Sequence, residues 1–116
     1  MHNFNFCGLP VSSFTKKEFR NYLTKNIKKR DNRIIYGHSL GIFPRLFREP
    51  ETIKYIMDYN IYVSDGNKFH LLGKLLGFPF RYRISLPETT YLILDILNKN
   101  NGSIYLLGAN QLSNKK

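Results

Sequence analysis

The chain has 116 residues, of which 18 are Lys or Arg and 8 are Asp or Glu, and its formal net charge at pH 7 is +10. Hydrophobic residues at 42% and aromatic residues at 15% exclude a disordered chain and predict a single small domain over residues 1–116. The single cysteine excludes an intrachain disulfide, and no apolar run reaches the roughly 20 residues of a membrane-spanning helix. The first residues lack the basic and apolar regions of a signal peptide, so we expect a cytoplasmic protein.

The first predicted elements are a strand or strand pair followed by a capped helix. The apolar residues 4–10, with turn residues among them, predict one strand or a strand pair. Cys7 lies inside this apolar stretch, and we expect it to be a buried structural thiol. Thr15 and Glu18 have the spacing of a capping box, which predicts a helix over Lys16–Lys29.

The remaining predicted elements alternate between short apolar strands and helices. Buried strands are predicted at residues 33–36, 61–64 and 103–107. Helices are predicted through residues 43–47, at residues 50–57, at residues 67–76 with Gly77 as the terminator, and from a second capping box, Ser85 with Glu88, to about Asn98. This alternation predicts an α/β fold with a Rossmann-like, mostly parallel sheet and helices on both faces.

The predicted sheet is incomplete at its C-terminal side. The last predicted strand, residues 103–107, is followed by a small-residue turn and then by polar residues, so no helix is predicted to cover it. We therefore expect a C-terminally truncated α/β domain, or a partner that covers this edge.

Three predicted strands end in small or polar residues: Gly37-His38-Ser39, Ser64-Asp65-Gly66 and Gly108-Ala109-Asn110. In open α/β sheets ligands bind just beyond the carboxyl ends of the strands, so we expect these three segments to form one site. Taken alone, Asp65 is typical of a turn residue or a helix cap, since Asp-Gly is a common turn pair. Together with the other strand ends, it becomes the candidate catalytic base.

Four segments, in this order, resemble the WecG/TagA/CpsF glycosyltransferases, glycosyltransferase family 26. They cover nearly the whole chain and are Phe6-Cys7-Gly8-Leu9-Pro10-Val11, Ile61-Tyr62-Val63-Ser64-Asp65-Gly66, Gly77-Phe78-Pro79-Phe80-Arg81-Tyr82-Arg83 and Ile104-Tyr105-Leu106-Leu107-Gly108-Ala109. The second segment resembles the Asp-Gly segment of the family, and the third resembles its Gly-x-Pro segment, which is followed by an Arg.

The resemblance implies an inverting glycosyltransferase of cell-surface polysaccharide or teichoic acid synthesis. Its expected donor is a UDP-sugar of the N-acetylhexosamine type, and its expected acceptor is a polyprenyl-pyrophosphate-linked sugar at the membrane surface. The protein would then be peripheral at the inner face of the cell membrane, and a homo-oligomer is compatible with the sequence. The resemblance also implies that Asp65 is the general base and that Arg83 contacts substrate phosphate or sugar.

The chain departs from the family pattern at residues near these two. After the strand at Ile34-Ile35 the family has Thr-x-Asn, where this chain has Gly37 and Ser39 on either side of His38. Shortly after the Arg the family often has a Gly, where this chain has Leu86. Ser39 keeps a hydroxyl, and the candidate substrate-binding residues beside Arg83 are Ser39, His38, Gly66 and Gly108.

Two alternatives stay open at this point. The charge of +10 and the aromatic residues interleaved with Arg81 and Arg83 are typical of a basic module that binds nucleic acid or another anionic surface. No nucleic-acid-binding motif is present, so a nucleic-acid partner is not favoured. The other alternative is an inactive, truncated remnant. We expect no metal and no cofactor, since the sequence has neither metal-ligand spacing nor a Walker A or Gly-x-Gly-x-x-Gly motif.

Overall fold

The computed structural model describes residues 1–30, 32–51, 54 and 61–108. The helix predicted at residues 50–57 falls mainly outside this part of the chain, as do Ala109 and Asn110 of the third strand end. In chain order the elements are β1 (His2–Phe6), β2 (Leu9–Ser13), α1 (Lys16–Lys29), β3 (Ile35–His38), α2 (Ile42–Arg48), β4 (Ile61–Ser64), α3 (Asn67–Leu75) and α4 (Leu86–Lys99).

Strands β1 and β2 form an antiparallel hairpin, which confirms the predicted strand pair. The register runs from His2 opposite Ser13 to Phe6 opposite Leu9. The two turn residues, Cys7 and Gly8, both have positive φ, 51° and 81°, as tight hairpin turns require. Cys7 is exposed, so its predicted burial is wrong. The reason is that it occupies the reversal of the chain, which lies at the surface.

Helix α1 has the predicted bounds and the predicted cap. The Thr15 hydroxyl accepts from the Glu18 amide at 3.2 Å, and the Glu18 carboxylate accepts from the Thr15 amide at 2.8 Å. The rings of Phe14 and Phe19 lie 5.3 Å apart, in the positions of a hydrophobic staple. Phe19 and Leu23 are buried and form the inner face of α1.

Strands β3 and β4 form a parallel pair, in register from Ile35 opposite Ile61 to His38 opposite Ser64. The pair confirms a mixed α/β fold with parallel strands. The described residues contain two sheets of two strands each, and a larger Rossmann-like sheet is not confirmed by them.

The strand predicted at residues 103–107 is wrong, since this segment has no strand conformation. Tyr105, Leu106 and Leu107 are 84%, 79% and 89% exposed. A strand is stabilised by a hydrogen-bonded neighbour and by cover on its faces. The part of the chain that the structure describes pairs no strand with this segment, so its high β-propensity is not enough.

The core consists of two apolar clusters on opposite sides of β4. One contains Phe6, Leu9, Val11, Ile42, Tyr62, Phe69 and Phe80. The other contains Phe14, Phe19, Leu23, Ile61, Val63, Ile84 and Ile96. Tyr62 belongs to the first cluster and Ile61 and Val63 to the second, because successive side chains of a strand point to opposite faces. All four residues of β4 are buried, so the strand that leads into Asp65 is held from both sides.

Candidate active site

The carboxyl ends of β3 and β4 lie side by side. The carbonyl of His38 accepts hydrogen bonds from the amides of Asp65 and Gly66, each at 3.1 Å. A Cβ atom on Gly66 would lie 3.2 Å from Cα and Cβ of Ser39, so glycine permits this close approach. Two of the three predicted strand ends therefore meet, and they bring Ser39, Asp65 and Gly66 together.

The half-buried Asp65 carboxylate is fixed by the start of α4. Its Oδ1 accepts from the backbone amide of Leu86, the first residue of that helix, at 3.0 Å. The predicted capping box at Ser85 is wrong, because the Ser85 side chain makes no cap hydrogen bond. The Asp65 carboxylate takes its place, and its negative charge suits a helix N-terminus. Pro87, in the same first turn, has no amide proton that needs an acceptor.

Arg83 lies directly against Asp65. Its Nη1 donates to the backbone carbonyl of Asp65 at 2.6 Å. The backbone amide of the next residue, Ile84, donates to the carbonyl of Ser64 at 3.1 Å. The segment that contains Arg83 therefore lies alongside the end of β4. The structure thus places the predicted arginine beside the predicted base, with the carboxylate itself bonded to Leu86.

Arg81 has a different task. Its Nη2 donates to the carbonyl of Ser13 at 2.7 Å and forms an ion pair with Glu18 at 2.9 Å. Arg81 therefore ties the irregular segment before α4 to β2 and α1.

Gly37 and Leu86, two of the departures from the family pattern, lie next to each other. A Cβ atom on Gly37 would lie 3.0 Å from Leu86 Cδ1 and 3.0 Å from Asp65 Cβ. The Leu86 side chain thus occupies the space that a larger residue at position 37 would need. As a result, the aliphatic side chain of Leu86 forms one side of the candidate site next to Asp65.

The His38 imidazole lies in the core, with its side chain fully buried. Its Nε2 donates to the carbonyl of Pro10 at 2.9 Å, and its ring stacks on Tyr62 at 5.7 Å between centroids. Nδ1 is buried and has no hydrogen-bond partner among the residues that the structure describes. Burial lowers the pKa of His38, while the hydrogen bond to Pro10 raises it by less. Burial thus favours the neutral ring, and His38 contributes to the strand end through its backbone carbonyl.

A buried pair behind Asp65 was missed by sequence reasoning. Ser64 Oγ and His70 Nδ1 lie 2.6 Å apart, and both side chains are buried. Burial first, and then the charges of Lys74 and Arg83, lower the pKa of His70. No site role was predicted for His70 from the sequence. The sequence feature that could have indicated this pair is a serine at a strand end with a histidine six residues later, in the first turn of the next helix.

A small cavity of about 230 Å³ lies beside Ser39 and is lined by Tyr36, Ser39, Gly41, Ile42 and Arg45. It brings an exposed guanidinium, that of Arg45, near the strand end. Arginine suits phosphate because its planar fork donates two hydrogen bonds at once. Sequence reasoning did not single out Arg45, since its place in α2 gives no local sign of a site.

Gly108 does not follow a strand. It comes after the exposed segment 103–107 and has a φ of +140°, so its expected place at a strand end is wrong. The predicted binding role of Gly108 is untested. A larger groove of about 340 Å³ lies elsewhere, between α1 and α4, and is lined mainly by apolar groups, among them Phe19, Tyr82 and Leu92.

In the described ranges no three His, Cys, Asp or Glu side chains lie together as metal ligands would. Of the helices within the same ranges, none combines the length and the apolar composition that crossing a bilayer requires.

A family model described as "Glycosyl transferase WecG/TagA/CpsF family" matches residues 4–116. The matched region includes every residue of the site described above. No curated protein and no solved structure gives a significant match to the chain.

Proposed function

The chain belongs to the WecG/TagA/CpsF family of glycosyl transferases, which act in cell-surface polysaccharide synthesis, and on this premise we propose that Asp65 is the base of an inverting sugar transfer. The proposed donor is a UDP-linked N-acetylhexosamine. The proposed acceptor is a polyprenyl-pyrophosphate-linked sugar at the inner face of the cell membrane. The observation that carries this proposal is the position of the Asp65 carboxylate, one residue beyond the buried strand β4 and hydrogen-bonded to Leu86.

In the proposed reaction an acceptor hydroxyl oxygen attacks the anomeric carbon of the donor sugar. The bond from that carbon to the UDP oxygen breaks, and the electron pair leaves with UDP. The hydroxyl proton passes to Oδ2 of Asp65, since Oδ1 is bonded to the Leu86 amide. Because the carboxylate is already held in one orientation, little entropy is lost in orienting it during the reaction. Proton transfer to a positioned general base accelerates a reaction by about 10² to 10⁴-fold.

Negative charge develops on the leaving diphosphate, and two arginines are proposed to stabilise it. Arg83 uses Nη1 on the Asp65 carbonyl, and guanidinium groups carry five N–H donors in all. Arg45 supplies a second guanidinium beside Ser39. Donors already in place where charge develops are among the largest contributions to catalysis.

The remaining predicted residues have smaller parts in this proposal. The exposed Ser39 hydroxyl is proposed to hydrogen-bond the sugar, and Gly66 to let the substrate approach the backbone. His38 holds the loop through its carbonyl and is proposed to act there, not through its ring. The role of Gly108 stays a prediction.

Calorimetric titration tests this proposal against the nucleic-acid alternative. We expect saturable binding of a UDP-N-acetylhexosamine, reduced in Arg83→Gln and unchanged in Arg20→Gln, an exposed arginine that pairs with Asp95. Generic oligonucleotides are titrated under the same conditions at increasing salt. Salt-sensitive oligonucleotide binding without UDP-sugar binding would reject the transferase proposal in favour of a basic binding module.

A further inference from the structure

The outer side of α3 is apolar. Leu71, Leu75 and Leu76 are 58%, 74% and 58% exposed, and Leu72 is 37% exposed. The inner side of the helix consists of the buried residues Phe69, His70 and Gly73. A surface helix usually presents polar residues to water, and residues four apart lie on adjacent turns. Leu71 with Leu75, and Leu72 with Leu76, the residue that follows α3, therefore form a continuous strip, called here the leucine face.

Cations accompany this apolar surface. Lys68 and Lys74 are exposed on α3 itself. Helix α2 packs against α3 through the stacked rings of Phe43 and Phe69, 5.9 Å apart. It adds two exposed cations and an exposed aromatic ring: Arg45, Arg48 and Phe47.

The two helices that carry these cations lack carboxylates. Neither α2 nor α3 contains Asp or Glu within its bounds. The flanking carboxylates are Asp65, which is bonded to Leu86, and Glu49 and Glu51, which follow α2. Helix α4, in contrast, contains Glu88 and Asp95 beside one cation, Lys99. Helix α1 contains six Lys or Arg and one Glu, but it exposes no large apolar side chain. The exposed leucines thus lie on a helix that carries two lysines, Lys68 and Lys74, and no carboxylate.

This charge decides between the partners that an apolar helix face can have. A second copy of the chain would bring Lys68 and Lys74 against the same lysines, on a molecule of net charge +10, and like charges oppose that contact. An anionic bilayer suits both features, because leucines enter the boundary of the acyl chains while lysines reach the headgroup phosphates. Each basic residue near such a surface strengthens binding by about fivefold.

We propose that the leucine face of α3 docks on an anionic lipid bilayer, with Lys68 and Lys74 on the headgroups. Since α3 begins two residues after Asp65, docking holds the carboxylate close to the lipid surface. This inference rests on the proposed function, which places the acceptor at a membrane, and it names the surface that would contact that membrane. Its test is separate, because binding to the bilayer requires neither a UDP-sugar nor transfer.

Co-sedimentation with lipid vesicles tests the docking. We expect the chain to bind vesicles of phosphatidylglycerol mixed with phosphatidylcholine, and not vesicles of phosphatidylcholine alone. The double variant Leu71→Ser/Leu75→Ser should bind about tenfold or more weakly, since two apolar contacts are lost. The variant Lys68→Gln/Lys74→Gln should bind roughly 25-fold more weakly. Circular dichroism should show both variants folded, because the four side chains are exposed.

The matched control is Leu94→Ser, which replaces an exposed leucine of α4 beside Asp95 and should leave vesicle binding unchanged. The docking is overturned if the chain binds neither kind of vesicle, or if Leu71→Ser/Leu75→Ser binds as tightly as the unchanged chain. A dimer in solution that these leucine substitutions dissociate, without vesicle binding, would show a second copy as the occupant. UDP-sugar titration of the same variants without vesicles separates a failure of docking from a failure of the proposed function.

Discussion

The Asp65 carboxylate accepts a hydrogen bond from the backbone amide of Leu86, with 3.0 Å between Oδ1 and the nitrogen. The contact joins the end of the buried strand β4 to the start of α4, 21 residues later in the chain. One side chain therefore has two tasks, to cap a helix with Oδ1 and, in the proposed reaction, to accept a proton with Oδ2. Substitutions of Asp65 can separate these tasks.

Asp65→Ala is expected to destabilise the fold more than Asp65→Asn. Alanine removes the acceptor for the Leu86 amide, and loss of a cap costs about 0.5–2 kcal/mol in the free energy of unfolding. Asparagine keeps an acceptor oxygen and loses only the charge at the helix N-terminus, about 0.3–1 kcal/mol. Urea unfolding measures both, with Ser85→Ala as the control that should change little because Ser85 makes no cap hydrogen bond. A larger loss in Ser85→Ala than in Asp65→Ala would contradict this assignment of the cap.

Gly37→Ala is expected to destabilise the fold by about 1–3 kcal/mol, the usual cost of overpacking. The new methyl group would lie 3.0 Å from both Asp65 Cβ and Leu86 Cδ1. Shortening Leu86 to alanine makes room while keeping the amide that Asp65 accepts from. The double variant should therefore lose less stability than the sum of the two single variants. Gly41→Ala is the control, since its nearest neighbour would be Ser39 Oγ at 3.7 Å, and strict additivity at positions 37 and 86 would refute the contact.

Arg83→Gln is expected to reduce both stability and UDP-sugar affinity. The hydrogen bond from Nη1 to the Asp65 carbonyl is lost, which costs about 1 kcal/mol at this half-buried position. Arg20→Gln removes an exposed ion pair instead and should change stability by less than about 1 kcal/mol. Unfolding and titration of the two variants side by side give the comparison. Equal UDP-sugar affinity in both would remove Arg83 from the proposed site.

Stability is expected to fall as pH is lowered below 6.5, the ordinary pKa of histidine. Burial lowers the pKa of His38 and of His70 in the folded chain, so below 6.5 the unfolded chain binds more protons than the folded one. The stability that neutral histidines contribute is thus present above 6.5 and lost as pH falls through the folded pKa values. His38→Gln and His70→Asn each keep a polar group near the engaged nitrogen and should flatten this dependence. Thermal unfolding across the pH range measures this dependence, with His2→Gln as the control variant. If stability depends on pH as steeply in both core variants as in the unchanged chain, the prediction is contradicted.

Elements governed by neighbouring residues could be predicted from sequence. Helix α1 has its predicted bounds because Thr15 and Glu18 form a capping box within one turn. Strand β4 was found because four apolar or small residues in a row predict burial on both faces. Asp65 followed as a candidate since its place depends only on where that strand ends.

Features that depend on distant residues could not be predicted. The cap of α4 comes from Asp65, so the spacing of Ser85 and Glu88 suggested the wrong acceptor. Residues 103–107 have the composition of a strand, yet strand conformation also needs a paired neighbour. The contact between Gly37 and Leu86 joins residues of β3 and α4, and no local sequence pattern predicts it.

The decisive measurement is transfer of a radiolabelled N-acetylhexosamine from its UDP donor to a polyprenyl-pyrophosphate-linked acceptor, by the unchanged chain and by Asp65→Asn. We expect transfer by the unchanged chain and a loss of about 100-fold or more in Asp65→Asn, in line with removal of a general base. Asparagine keeps the hydrogen bond to Leu86, so unfolding curves should show that the variant is folded. Near-normal transfer by Asp65→Asn, or no transfer by the unchanged chain, would contradict Asp65 as the base of an active glycosyltransferase.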